Sequence, residues 1–189
     1  MKQDRMVGFS DGVFAVIITI MVLELKVPQG VTFDALKSIQ DNFLTYVISF
    51  VYVAIYWNNH HHMLTVSEKT NGAILWANLH LLFWLSLVPF TCGWLGASNL
   101  APAPVATYSF VLLMCGLSYS LLQTSIIRMQ GKNSKLKEAI GKDVKGKVSL
   151  VIYLVAIGCS FNWPLVGVGF AALPALIWFI PDRRIESRV

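Results

Sequence analysis

Charged residues are scarce in this chain of 189 residues: Asp, Glu, Lys and Arg together make up 13% of it. An average soluble domain is about a quarter charged, so the chain lacks the surface that such a domain presents to water. Hydrophobic residues make up 56%. Several apolar stretches reach the roughly 18 to 20 residues that a helix needs to cross a bilayer. The composition therefore predicts an all-α integral membrane protein, formed as a single domain over residues 1–189.

Cysteine is also rare. The three cysteines, Cys92, Cys115 and Cys159, each lie within an apolar run, and neither their number nor their spacing fits a disulfide framework or a metal site. We expect buried thiols, no resident metal and no cofactor. No small-x-small cleavage site follows the first apolar run, so we expect that run to be retained rather than removed as a signal peptide.

Six apolar segments are the predicted membrane spans. They cover residues 7–27, 43–63, 72–95, 104–127, 147–161 and 165–181. The last two are only about 16 residues each and are separated by the turn-like sequence Asn162-Trp163-Pro164. Short helices still cross a bilayer where it thins or where flanking residues snorkel. Six spans place both ends of the chain on the same side.

The positions of Lys and Arg give the orientation. With the N-terminus inside, thirteen of the fifteen are cytoplasmic, and only Lys26 and Lys37 are outside. We therefore expect a multi-pass protein of the inner (plasma) membrane with cytoplasmic termini. The net charge of +5 lies beside membrane spans, which argues against a nucleic-acid partner. The basic loop from Arg128 to Lys147 is read as a topology determinant, with binding of acidic lipid headgroups as the alternative.

The first span begins with a polar motif formed by Arg5, Phe9, Ser10 and Asp11. An unpaired carboxylate one turn inside an apolar run is costly, so Asp11 needs a partner. Arg5 is one candidate. The second and third spans offer others at a matching depth, namely His60, His61, Asn78 and His80. The consecutive histidines point about 100° apart along a helix, which favours interhelical hydrogen bonds over a shared metal ion.

The same helix carries a second, separate surface. With Gly12 as reference, Val16, Thr19 and Leu23 fall within about 40° of one line along the helix, whereas Ser10 and Asp11 point about 160° and 100° away. The motif and the stripe therefore face different surroundings. From the residues alone, packing against lipid or another helix is the favoured explanation of the stripe.

The pattern Arg5-x-x-x-Phe9-Ser10-Asp11 at the start of a first membrane helix resembles the signature of the lysosomal and bacterial potassium channels named transmembrane protein 175. The resemblance implies one six-helix unit per chain, a homotetramer, and a central pore lined by the four first helices. It implies that Val16, Thr19 and Leu23 line the pore and form its gate. Gly12 and Ile20 are additional candidates for the lining. The implied partners are potassium ions, other copies of the chain and membrane lipids.

The usual potassium filter is absent from this sequence. Such a filter uses backbone carbonyls of a Thr-Val-Gly-Tyr-Gly loop. The nearest imitation, Val166-Gly-Val-Gly-Phe170, is better explained by close helix packing at its glycines. The alternative is a filter of side chains, in which Val16 and Leu23 form apolar collars and Thr19 hydroxyls contact the ion. We therefore expect gate and selectivity element to coincide.

Three other function classes remain open from the sequence. A secondary transporter is the main alternative, although carboxylates and lysines at mid-membrane, which couple ions to substrate, are absent. An enzyme is disfavoured because the polar cluster around Ser10 and Asp11 has no metal-ligand spacing. A scaffold role is distinguished from a channel only by measuring flux.

Overall fold

The computed structural model describes residues 3–67, 69–141 and 143–179. Within these ranges the chain is helical and contains no strand, so the predicted all-α fold is confirmed. The helices are α1 (Asp4–Leu23), α2 (Gln40–Thr65), α3 (Gly72–Ser86), α4 (Val88–Ala97), α5 (Pro102–Gln130), α6 (Lys135–Ile140), α7 (Val144–Ser160) and α8 (Pro164–Phe179). Two short 3-10 segments, Phe33–Ile39 and Gly131–Asn133, precede α2 and follow α5.

The predicted segments correspond to α1, α2, α3 with α4, α5, α7 and α8, with shifted ends. The first helix ends at Leu23 rather than at residue 27. Proline disfavours helical geometry in the residue directly before it, so Pro28 excludes a helix that continues past Lys26 but does not by itself account for the end at Leu23. Residues 180 and 181 of the last predicted span lie outside the described residues. So do five of the counted basic residues: Lys2, Lys142, Arg183, Arg184 and Arg188.

The third predicted span is two helices rather than one. α3 ends at Ser86, Leu87 forms a turn, and α4 begins at Val88. Pro89 lies in the first turn of α4, where its ring and its missing N–H prevent a regular hydrogen bond to the carbonyl four residues before. In the turn between the two helices, the Leu87 N–H donates to the Trp84 carbonyl oxygen at 3.2 Å. The span is consequently kinked at its middle.

Among the described residues, four segments are long and apolar enough to cross a membrane, by length and composition. They are Asp4–Leu23, Phe33–Thr65, Gly72–Ala97 and Pro102–Asn133. α7 and α8, with 17 and 16 residues, are shorter. Their outward side chains are nevertheless large and apolar, as at Val151, Leu154 and Leu176. Such surfaces suit hydrocarbon rather than water.

Two apolar clusters hold the bundle together. One joins α1, α2, α3, the start of α4, α5 and α6, and the other joins α2, α4, α5, α7 and α8. α2, α4 and α5 contribute to both. Cys92 and Cys115 are buried in these clusters, as predicted, but Cys159 is partly exposed because it lies on the outer side of α7.

A proline inside α8 is compensated from another helix. Pro174 distorts the helix around it. The hydroxyl of Tyr52, on α2, donates to the Ala171 carbonyl oxygen and accepts from the Ala175 N–H at 3.2 Å. It therefore bridges the two backbone groups that would bond to each other in a regular helix. This connection ties α8 to the centre of the bundle.

We expect Tyr52→Phe to lower the free energy of unfolding by about 1 to 3 kcal/mol, since it leaves two buried backbone groups without a partner. Thermal unfolding of purified protein measures the change. The matched control is Tyr46→Phe, because the Tyr46 hydroxyl has no hydrogen-bond partner among the described residues and its ring is only partly buried. Equal stability of the two variants would contradict the bridging role.

Candidate functional site

The first helix has two faces. One is buried against α2, α3 and α4 and consists of Met6, Ser10, Phe14, Ile17 and Met21. Their spacing of three or four residues is that of a single stripe facing the bundle. The opposite face is left uncovered by the subunit. It includes the predicted stripe of Val16, Thr19 and Leu23 and the two additional candidates Gly12 and Ile20. Sequence periodicity and structure thus agree on which side of α1 points away from its own subunit.

The uncovered face is apolar except at one level. Val16 is 54% exposed, Ile20 43% and Leu23 79%. Between them, the hydroxyl of Thr19 donates to the Val16 carbonyl oxygen at 2.9 Å. A hydroxyl has one hydrogen and two acceptor lone pairs. Its single hydrogen is used within the helix, and the oxygen therefore faces outward as an acceptor, which suits a cation.

The buried face is anchored by a chain of hydrogen bonds through α1, α3 and α2. Ser10 Oγ donates to the Met6 carbonyl oxygen at 2.8 Å. Asn78 Nδ2, on α3, donates to Ser10 Oγ at 2.9 Å. Asn78 Oδ1 lies 2.7 Å from His60 Nε2, on α2. The side chains of Ser10, Asn78 and His60 are each at most 1% exposed.

The chain of bonds also fixes the protonation of His60. Ser10 uses its only hydrogen on the Met6 carbonyl, so its oxygen must accept from the amide nitrogen of Asn78. The amide oxygen of Asn78 then faces His60, and His60 Nε2 must be the donor. We will call Ser10, Asn78 and His60 the buried anchor.

Asp11 has a partner that the sequence reasoning missed. The indole N–H of Trp57, on α2, donates to Asp11 Oδ1 at 2.9 Å. His61 stacks on the Trp57 ring, with centroids 6.1 Å apart and planes at 29°. The sequence feature that could have predicted this partner is the position of Trp57, three residues before His60 and four before His61. That spacing places an indole donor on the same side of α2.

Other motif residues lie elsewhere. Arg5 is exposed and forms no ion pair with Asp11 among the described residues. Phe9 is 56% exposed and points away from the subunit's core. His80 does not join the motif, because its exposed side points outward and its Nε2 accepts from the Trp84 indole at 3.1 Å.

The described residues contain no group of three or more His, Cys, Asp or Glu side chains that could hold a metal ion. The three consecutive histidines illustrate why. His60 belongs to the buried anchor, whereas His61 is exposed over Trp57. Their side chains therefore diverge around α2.

Comparison with known proteins decides the family. The family model described as the endosomal/lysosomal potassium channel TMEM175 matches residues 5–89. A protein named potassium channel from Chryseobacterium sp. (strain P1-3) is 54% identical over 187 residues, which cover 99% of this chain and 97% of that protein. The chain belongs to the TMEM175 family. The resemblance inferred from Arg5, Phe9, Ser10 and Asp11 is confirmed.

More distant TMEM175 relatives agree along nearly the whole length. A protein named potassium channel from Chamaesiphon minutus is 29% identical and covers 89% of this chain and 90% of its own. The crystal structure described as a lysosomal potassium-selective channel TMEM175 homolog from Chamaesiphon minutus superposes with a TM-score of 0.82. It is 27% identical and covers 94% of this chain and 96% of that one. The family model spans the complete buried anchor, Asp11 and Trp57.

We expect Asp11→Ala to destabilise this TMEM175 protein by about 1 kcal/mol, because it removes one partly exposed, charge-assisted hydrogen bond to Trp57. On gel filtration, the yield of assembled protein should fall. The ion preference of the protein that does assemble should change less. Asp41→Ala is the control, since Asp41 is an exposed carboxylate on α2. A normal yield with altered ion preference would contradict an anchoring role for Asp11.

Proposed function

We propose that this protein is a potassium channel in which four copies of the chain surround a central pathway with their α1 helices. The observation that carries the proposal is the uncovered face of α1, where Val16, Thr19 and Leu23 follow one line and no other part of the described subunit covers them. The names of the bacterial relatives and of the solved homologue support potassium as the permeating ion.

A groove beside α1 supports covering by another copy. It lies at the outer end of the helix, has a volume of about 490 Å³, and is lined by the ends of α1 and α3 and by α4. Its lining consists of Ile20, Glu24, Ser86, Pro89, Phe90 and Trp94. Phe90 and Trp94 stack at 6.2 Å between centroids and are 62% and 42% exposed. Large stacked aromatic side chains beside an uncovered helix are typical of an interface.

The order of side chains along α1 gives the proposed selection mechanism. At about 1.5 Å per residue, Val16 and Leu23 lie about 10 Å apart along the axis, with Thr19 between them. Four copies would form an apolar collar, a ring of hydroxyl oxygens and a second apolar collar. Apolar collars exclude water, and the acceptor oxygens of Thr19 offer partial replacement for lost hydration. Potassium sheds water more readily than sodium and is therefore favoured.

The same proposal places the chain in the plasma membrane with both termini in the cytoplasm. Described basic residues at the expected cytoplasmic end are Arg5, Lys69, Arg128, Lys132, Lys135, Lys137, Lys145 and Lys147. Lys26 and Lys37 lie between α1 and α2, at the opposite end. The basic residues of the α5–α7 connection face the headgroup region, where acidic lipids are the expected neighbours.

Flux through purified protein in liposomes tests the function. A potassium gradient with a potassium-selective ionophore as reference should drive passive potassium flux that exceeds sodium flux. The oligomeric state of the same preparation, from light scattering, should be four. Flux that saturates and requires a second solute gradient would contradict the channel and favour a transporter, and absence of flux from a tetramer would leave a scaffold.

We expect Thr19→Ala to reduce the ratio of potassium to sodium flux severalfold, because it removes the only polar ring between the collars. Loss of about 1 kcal/mol of differential stabilisation corresponds to roughly a fivefold change. The matched control is Thr124→Ala on α5, since Thr124 is also exposed and its hydroxyl also bonds to a carbonyl of its own helix, that of Ser120. An unchanged ratio in Thr19→Ala would remove Thr19 from the selectivity element.

A further inference from the structure

A second candidate site lies away from α1, in a partly open cavity of about 50 Å³ between α2, α5, α7 and α8. None of its lining residues belongs to α1. They are Tyr52, Ile55, Tyr56, Asn59, Gly116, Tyr119, Ser120, Gln123, Asp143, Gly146, Ser149, Tyr153 and Trp178. The cavity is therefore separate from the proposed ion pathway.

The cavity changes character along its length. Its end toward the α6–α7 connection carries the polar groups of Asn59, Gln123 and Asp143. Its other end, at the middle of the helices, is formed by Tyr52, Tyr153 and their neighbours. Only one of the lining side chains, Asp143, has a formal charge at neutral pH. A ligand that fits must accordingly be small, largely apolar and positively charged.

Aromatic rings form several walls of this cavity at steep angles to one another. Tyr56 and Tyr119 lie 6.1 Å apart between centroids with planes at 66°, and Tyr119 and Trp178 lie 6.4 Å apart at 68°. Trp178 is held in place because its indole N–H donates to Ser149 Oγ at 3.0 Å. Rings set at steep angles around a small space are the arrangement of aromatic cages that bind alkylammonium ions through cation–π contacts.

The carboxylate of Asp143 completes the cage. Asp143 precedes α7 in a left-handed conformation, and its Oδ1 accepts the Gly146 N–H at 3.2 Å. Oδ2 has a weaker contact, 3.5 Å from Gln123 Nε2. Lys145, which is not part of the lining, has its Nζ 5.8 Å from the centroid of the Trp178 ring. This indole already contacts one ammonium group of the protein.

We propose that this cavity binds a small alkylammonium ion of the tetramethylammonium class, with its charge beside Asp143 and its methyl groups against Tyr56, Tyr119 and Trp178. A water needs about 10 to 15 Å³ of such space, so the cavity matches three to five heavy atoms. A lipid headgroup with its phosphate is too large. An anion would be repelled by the carboxylate of Asp143. An uncharged hydrocarbon would bring no positive charge to balance that carboxylate, which accepts the Gly146 N–H.

The position of the cavity connects it to the rest of the subunit. Tyr56 and Asn59 lie on the same turn of α2 as Trp57 and His60. Trp57 bonds to Asp11, and His60 belongs to the buried anchor. A ligand in the cavity therefore contacts the turn of α2 that holds α1.

Binding of tetramethylammonium to the purified full-length protein, measured by calorimetry, tests the proposal. Asp143→Asn is the principal variant because asparagine caps a helix and adopts left-handed geometry as readily as aspartate, so that only the charge is lost. We expect saturable binding that this variant weakens at least about tenfold, since bonds to charged groups are the strong ones. Asp41→Asn, with an exposed carboxylate on α2, should bind like the wild type.

Further variants test whether the aromatic rings, rather than the central pathway, bind the ion. Tyr119→Leu should abolish binding, and Tyr119→Phe, which keeps the ring, should retain it and so controls for folding. Thr19→Ala should leave the affinity unchanged. Equal affinity of wild type and Asp143→Asn, no saturable binding at millimolar concentration, or loss of binding in Thr19→Ala would each overturn the proposal. The last result would place the ion in the central pathway.

Discussion

Replacing Leu23 by asparagine is expected to raise cation flux and to reduce the preference for potassium over sodium. Leu23 is the most exposed large side chain of α1, at 79%, and in the proposed tetramer it forms the outer apolar collar. A polar ring at that level keeps the pathway hydrated, which removes part of the barrier to partly hydrated ions. Lowering the barrier by about 1.4 kcal/mol would raise the rate roughly tenfold. Single-channel recording and liposome flux measure both effects.

The control for this variant is the same substitution on another helix. Leu176 of α8 is 72% exposed, so Leu176→Asn adds an equally exposed amide to the surface of the bundle. It should change neither flux per assembled channel nor selectivity, and any fall in yield should be similar in the two proteins. If Leu176→Asn alters ion preference and Leu23→Asn does not, the uncovered face of α1 faces lipid, and the proposed pathway must lie elsewhere.

The division of α1 into two faces could be predicted because it follows from the helical period. Ser10 on one side and Val16, Thr19 and Leu23 on the other are separated by rotation alone, and the structure leaves the second group uncovered. The positions of the helices were likewise set by the lengths of the apolar runs. The period does not say what covers an uncovered face, which is why the pathway remains a proposal.

The partners of the polar residues were harder to predict because they depend on three-dimensional packing. The sequence offered four partners to the motif on equal terms, namely His60, His61, Asn78 and His80. Only packing separates the buried His60 and Asn78 from the exposed His61 and His80. Trp57 was missed because an indole in a membrane span is usually counted as apolar. Its N–H is a donor that a carboxylate at the same depth can use.

Two backbone irregularities differ in how far the sequence alone predicts them. The break at Leu87 follows from Pro89 and could have been inferred from the sequence alone. The hydrogen bonds that compensate for Pro174 in α8 could not be inferred from the sequence. Pro174 predicts a distorted helix, but that the hydroxyl of Tyr52, 122 residues earlier, would bridge Ala171 and Ala175 depends on how α2 packs against α8.

The buried anchor should matter more for assembly than Asp11 does. Asn78→Leu roughly keeps the volume of the side chain but removes both bonds that Asn78 makes. It leaves His60 Nε2 without its partner and Ser10 Oγ with only its bond to the Met6 carbonyl oxygen. We expect the free energy of unfolding to fall by about 2 to 4 kcal/mol, against about 1 kcal/mol for Asp11→Ala. Chemical denaturation in detergent micelles measures the difference, and gel filtration should show a loss of assembled protein.

A double-mutant cycle with Ser10→Ala separates the anchor from simple packing. If Asn78 and Ser10 act through their shared hydrogen bond, the double variant should be less destabilised than the sum of the two single variants, by about 0.5 to 3 kcal/mol. Asn162→Leu, at an exposed position between α7 and α8, controls for the loss of an amide. Strict additivity would mean that the two side chains stabilise the bundle independently. The bond between them would then not hold α1 to α3. The orientation of the uncovered face of α1 would depend on the apolar contacts of Phe14, Ile17 and Met21 and on the Asp11–Trp57 bond.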